Sequence, residues 1–101
     1  QKENYKFIDI RTKKERENTG IIPGSLEITA FDIYGKFVPE FMKTFQDLVD
    51  LNDNVVFISN EGEIASILAN GFVEQLKAGN MHALEGGIQQ LIIEGFQLSK
   101  K

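Results

Sequence analysis

Val55-Val56-Phe57-Ile58-Ser59-Asn60-Glu61-Gly62-Glu63-Ile64 is the stretch that decides the fold. Its first four residues are apolar and β-branched or aromatic, so they read as a buried strand. Ser59 to Glu63 is polar, short and contains a glycine, and therefore reads as a tight loop. At Ile64 a helical pattern begins. A strand, a loop and a helix N-terminus in that order make a cradle, because the backbone N–H groups of the loop and first turn converge. An enzyme of this design sets its nucleophile where the strand ends. That position is Ser59, and the chain contains no cysteine.

The neighbouring segments repeat the alternation. Before the decisive strand, Phe37, Val38, Phe41, Met42, Phe45, Leu48 and Val49 recur at helical steps and predict an amphipathic helix from Phe37, with Pro39 in its first turn. Asn52-Asp53-Asn54 breaks the chain between that helix and Val55. After the loop, Ile64, Ile67, Leu68, Phe72 and Leu76 are expected to face the core, with Gly71 as a close packing contact. Ala78-Gly79-Asn80 ends that helix, and Met81 to Leu84 reads as a further strand. Glu85-Gly86-Gly87 turns into a last helix carrying Ile88, Leu91, Ile92 and Ile93. Gly95 stops it, and Phe96 and Leu98 are expected to pack the tail.

At the other end, Lys6 to Ile10 reads as the first strand. Thr12 caps a short charged helix over Lys13 to Asn18, with Glu15 as its capping-box partner and Gly20 as its stop. The basic residues Arg11, Lys13, Lys14 and Arg16 alternate with Glu15 and Glu17, which predicts a solvated face with local pairing. Ile21-Ile22-Pro23-Gly24-Ser25 is a turn, and Leu26 to Thr29 a short strand. Strands alternating with helices predict an α/β domain with a parallel sheet flanked by helices on both faces. Sites in such sheets form at loops leaving the carboxyl ends of strands.

The 101 residues make one domain, residues 1–101. Net charge is −4 at pH 7, which argues against nucleic acid and anionic membrane as partners, because both need clustered cations. No stretch approaches the ~18 apolar residues of a membrane span. The chain opens on Gln1 rather than Met, so a trimmed chain is expected. A soluble protein of the cytoplasm fits, or of the periplasm if a leader has been removed. Without thiols there is no disulfide or thiolate metal site. Asp47, Asp50 and Asp53 lack the glycine and ligand spacing of a calcium loop, so no metal and no cofactor is expected. Gly86-Gly87 lacks the Lys-Ser/Thr of a phosphate loop and reads as a turn. The single histidine, His82, is expected as a partly buried strand residue.

Asp9-Ile10-Arg11 after an apolar strand resembles the rhodanese-like domain. So do Gly20 to Ser25, with Pro23 and Gly24 at the turn, and Leu84-Glu85-Gly86-Gly87-Ile88 followed by Glu94-Gly95-Phe96. The likeness runs from Tyr5 to Leu98. It implies a rhodanese-like fold, a sulfurtransferase ancestry and a structural role for Asp9 and Arg11 in tying the first strand to nearby loops. Active members of this family place at the strand end a cysteine that carries a persulfide, and an arginine further along the loop. With the family's loop glycine set on Gly62, those positions are Ser59 and Ile64. The family's usual histidine before the Ile-Pro-Gly turn is Ile21.

A serine hydroxyl holds no transferable sulfane sulfur. Glu61 and Glu63 put negative charge where the family offers positive charge, repelling thiosulfate or phosphate while interacting favourably with the helix N-terminus by roughly 0.3–1 kcal/mol each. The expectation is a rhodanese-like domain that has lost sulfurtransferase catalysis and acts as a binding or regulatory module toward a protein partner or a small anion. The alternative is an enzyme of another kind that uses the loop Ser59, Asn60, Glu61, Gly62, Glu63, Ile64 as an anion cradle. A serine substituted for a native cysteine would have left the arginine position intact, and Ile64 speaks against that. An apolar patch near Phe31, Tyr34 and Phe37 would favour protein contacts.

Overall fold

The computed structural model describes residues 5–50, 52–77 and 79–100. Four strands form one parallel sheet: β1 (Tyr5–Asp9), β2 (Leu26–Glu27), β3 (Asn54–Ile58) and β4 (Met81–Ala83), in the order β2-β1-β3-β4. Four helices connect or follow them: α1 (Lys13–Thr19), α2 (Phe41–Leu48), α3 (Glu63–Leu76) and α4 (Gly87–Ile93). β1 and β3 are the central pair, in register from Tyr5 opposite Asn54 to Asp9 opposite Ile58. The β1–β2 ladder outlasts the strand itself, because Ile28 N–H donates to the Asp9 carbonyl and Ala30 N–H to that of Ile10.

Side chains alternate across the sheet and build a core on each face. On one face Ile8, Val55 and Phe57 meet Phe41 and Phe45 of α2 and Ala65, Ala69 and Phe72 of α3. On the other, Ile58 and Phe7 meet Ile22, Ile88, Leu91 and Leu98. The parallel α/β sheet covered on both faces, read from the alternating pattern, is therefore the fold. Phenylalanine rings run as a chain from the surface into the larger core: Phe31, exposed Phe37, Phe41, Phe45, then Phe57 and Phe72, with successive centroids 5.0–5.8 Å apart.

Several expectations are corrected. The helix expected from Phe37 begins at Phe41. Val38 N–H donates to the Ala30 carbonyl and Phe37 bridges Phe31, and Pro39 holds the residue before it out of the helical region. In α3 the core side is Ala65, Ala69 and Phe72 with Leu68 beside them, while Ile64, Ile67 and Leu76 are exposed. The alanines let the helix axis approach the sheet, and the larger residues fall on the outer faces. Gly71 has open space around it rather than a packing contact. α3 ends at Leu76, with Lys77 as a left-handed cap at φ 58°; Ala78 lies outside the described residues.

The tail is only half packed. Leu98 joins the smaller core and Ser99 exchanges two 2.8 Å backbone hydrogen bonds with Ile21, but Phe96 is largely exposed. His82 is exposed on β4, edge-on to the Tyr5 ring at 6.2 Å, rather than partly buried. Arg11 and Arg16, expected on a solvated face, are 2% and 6% exposed. No helix among the described residues is long and apolar enough to cross a membrane.

Candidate functional site

The strand order reverses between β1 and β3, since β2 lies outside β1 and β4 outside β3. Loops leaving a parallel sheet at such a point diverge and open a crevice at the carboxyl ends. A cleft of about 580 Å³ lies there. Its floor includes Ile10 and Arg11 after β1 and Ser59 and Asn60 after β3, and its sides come from Thr12 to Asn18, Phe31 to Gly35 and Glu61 to Ile64.

Ser59 is 6% exposed, and its Oγ accepts hydrogen bonds from Gly62 N–H at 3.0 Å and Ala65 N–H at 3.4 Å. The hydroxyl thus sits inside the loop and ties it to the first turn of α3. Gly62 is the N-cap at φ 97°, where a side chain would be strained and would crowd Gly86 N and the Leu84 carbonyl. The loop is clamped from below by α4: Ile88 N–H donates to the Ser59 carbonyl and Gln89 N–H to that of Asn60, both at 2.9 Å. Gly87 makes this possible, because a Cβ there would clash with Ser59 O and Asn60 C and O. The Gly86-Gly87 pair is therefore the support of the loop.

Asn60 faces the other wall. Its Nδ2 donates to Glu15 Oε2 at 2.9 Å and its Oδ1 accepts from Arg11 Nη1 at 3.3 Å. Glu15 is already the capping-box residue of α1, with Thr12 N–H on Oε1 at 3.0 Å. Arg11 holds Asp9 through Nε and Nη2, at 2.9 and 2.7 Å, and donates to Thr19 Oγ1 and the Gly20 carbonyl, both at 2.7 Å. Both members of the Asp9–Arg11 pair are buried and fully engaged. Arg11 therefore orders the backbone around the cleft and has little left to offer a ligand.

Arg16 completes the frame, reaching the Arg11 and Asp9 carbonyls and Thr29 Oγ1. Among the described residues its buried Nε has no hydrogen-bond partner, and Glu27 Oε1 lies 3.5 Å away as its counter-ion. Pro23 and Gly24 form the expected turn, with Ser25 N–H on the Ile22 carbonyl at 3.1 Å and Gly24 at φ 85°. It lies away from the cleft, as does His82, which lines a separate depression with Glu61, Glu63 and Glu85. No base meets Ser59 Oγ among the described residues; its partners are backbone amides. Nor does any group of His, Asp and Glu there suit a metal ion.

Spacing alone did not reveal three members of the cleft wall. Lys14 and Asn18 of α1 come to it because Asn60 locks that helix against the loop. The Phe31–Phe37 segment comes because its ends are bridged and its tip is a turn, with Asp32 Oδ1 accepting from Tyr34 and Lys36 N–H at 2.9 Å. Nothing local in the sequence signals the segment's place beside Ser59. The tip projects, with Ile33 75% and Tyr34 81% exposed.

The rhodanese-like domain model matches residues 1–94. Two solved structures share the fold. One is a protein of unknown function and possible tyrosine phosphatase from Rhodopseudomonas palustris: 22% identity, TM-score 0.66, over 93% of this chain and 70% of that one. The other is Rv0390 from M. tuberculosis: 18% identity, TM-score 0.62, over 82% of this chain and 65% of that one. No curated protein sequence matches.

Proposed function

Because the chain belongs to the rhodanese-like domain family, we propose that it is a binding module of that family without sulfurtransferase chemistry. One observation carries this reading. Ser59 stands at the strand end where the family resemblance sets the persulfide-forming cysteine, and its hydroxyl is occupied as an acceptor for the Gly62 and Ala65 amides. An alcohol there has neither a nucleophilic sulfur to load nor a base to activate it. Ile64, at the position of the loop arginine, adds an exposed apolar side chain where the family offers charge. Glu61 and Glu63 then bias the cleft against thiosulfate by repulsion.

The test is sulfur transfer from thiosulfate to cyanide. The native chain is expected to give no turnover above the uncatalysed rate. Ser59→Cys alone should stay near background, because the loop offers the new thiol no side-chain cation. Ser59→Cys with Ile64→Arg should exceed it by at least about tenfold, as one charge facing a developing anion contributes on the order of 1.4 kcal/mol or more. Family-like turnover by the native chain would end this reading.

A further inference from the structure

We infer that two copies of this chain pair about a two-fold axis through the projecting tip of residues 31–37, each tip seated against the Glu61 to Ile64 rim of the other copy. Such pairing goes beyond the non-catalytic reading above and does not depend on it. It starts from apolar side chains that the fold holds out in water. Ile33 and Tyr34 project from the tip, and Phe37 and Ile64 are exposed beside them. The patch is contiguous, because Ile33 and Ile64 line the same cleft and Phe37 stands edge-on to Phe31 in its wall. Nor is the tip a loose loop. Asp32 N–H donates to the Lys36 carbonyl and Gly35 N–H to that of Asp32, both at 2.9 Å, beneath the two amides held by the Asp32 carboxylate. A preformed apolar projection loses little freedom when it is buried, so it suits an interface.

Charge selects the occupant. On the side of the tip and α1, Lys14 and Lys36 are exposed and make no ion pair among the described residues. The carboxylates on that side are engaged, Asp32 by the Tyr34 and Lys36 amides and Glu15 by Thr12 N–H and Asn60. On the opposite side Glu61 and Glu63 are exposed and likewise without an ion pair there. A two-fold axis exchanges the two sides, so the lysines of one copy meet the glutamates of the other, and the contact is made twice. A surface divided in this way is complementary to itself, whereas a uniformly basic or acidic partner would meet like charge on one side. The net charge of −4 on each copy opposes the encounter, but at about 150 mM salt that repulsion is screened beyond ~8 Å.

The experiment is sedimentation equilibrium of the whole chain from about 10 µM to about 1 mM, with a monomer–dimer equilibrium of Kd about 100 µM or tighter as the expected result. Ile33→Ser combined with Tyr34→Ser, both exposed tip positions, should weaken the dimer by about tenfold or more. Glu61→Lys with Glu63→Lys should weaken it by about fivefold or more, as should Lys14→Glu with Lys36→Glu. The chain carrying all four reversals should regain the dimer, because its two sides have exchanged sign. Amide NMR spectra unchanged away from the substitutions show that the variants remain folded.

A monomer at every concentration, assembly that grows beyond the dimer, a dimer indifferent to the tip substitutions, or four reversals that fail to regain it would each overturn the inference. None of these outcomes touches the loss of catalysis, which fails only if the native chain transfers sulfur to cyanide.

Discussion

Two glycines show how differently a single methyl group would act here. Gly87 sits at φ 62° against the Ser59 and Asn60 backbone, and Gly71 lies within α3 with nothing near its missing Cβ. Gly87→Ala combines left-handed strain with a clash against main chain that has nowhere to go. It is expected to cost about 2–3 kcal/mol or more in urea unfolding. Gly71→Ala should instead stabilise by about 0.5–1 kcal/mol, since alanine loses less entropy in a helix. The sequence made Gly71 look like a contact and Gly86-Gly87 like a turn. Only the approach of α4 to the loop, which is tertiary, reverses their importance. Arg11 and Arg16 carry the same lesson: alternating signs along a chain do not reveal which charges a fold will bury beside Asp9 and Glu27.

At the scale of elements, the strand–loop–helix around Ser59 was legible because each part has its own local signal. The apolar run, the glycine and the helical spacing agree with one another. The faces of α3 were less legible. That helix is apolar on more than one side, and the rule that large residues face inward chose Ile67, which is 67% exposed, over Ala65 and Ala69. The start of α2 was displaced because pairing of Phe37 with Phe31 and of Val38 with Ala30 outweighed their helical spacing. The link from α2 to β3 gives a pH prediction. Lys6 Nζ lies 2.9 Å from Asp53 Oδ2, and the Asp50 N–H donates to the same carboxylate. That hydrogen bond from Lys6, chiefly, and the one from Asp50 lower the Asp53 pKa below its ordinary 3.8. The stabilisation is therefore fully present above pH 3.8 and is lost as pH falls through the lower folded value. Thermal melts of wild type and Asp53→Asn should differ at neutral pH and converge in strong acid.

For the molecule as a whole, the central β1–β3 pair decides where the cleft opens, and the segment around Leu98 and Ser99 helps close the opposite face. Ser99 pairs with Ile21, and Leu98 covers the small core of Ile22, Ile58 and Ile88. Ending the chain after Gly95 removes those two backbone hydrogen bonds and that leucine. The expected loss is about 2–4 kcal/mol, read from the urea midpoint, with the cleft resonances little changed. The position of Ser59 has a further consequence for chemistry outside the cleft. A thiol surrounded by backbone N–H groups at a helix N-terminus loses its proton readily, and such thiolates are the first groups in a protein that peroxide attacks. The oxygen in its place climbs no such ladder of oxidation states. With serine at this position and no cysteine in the chain, the loop presents no thiol for an oxidant to modify.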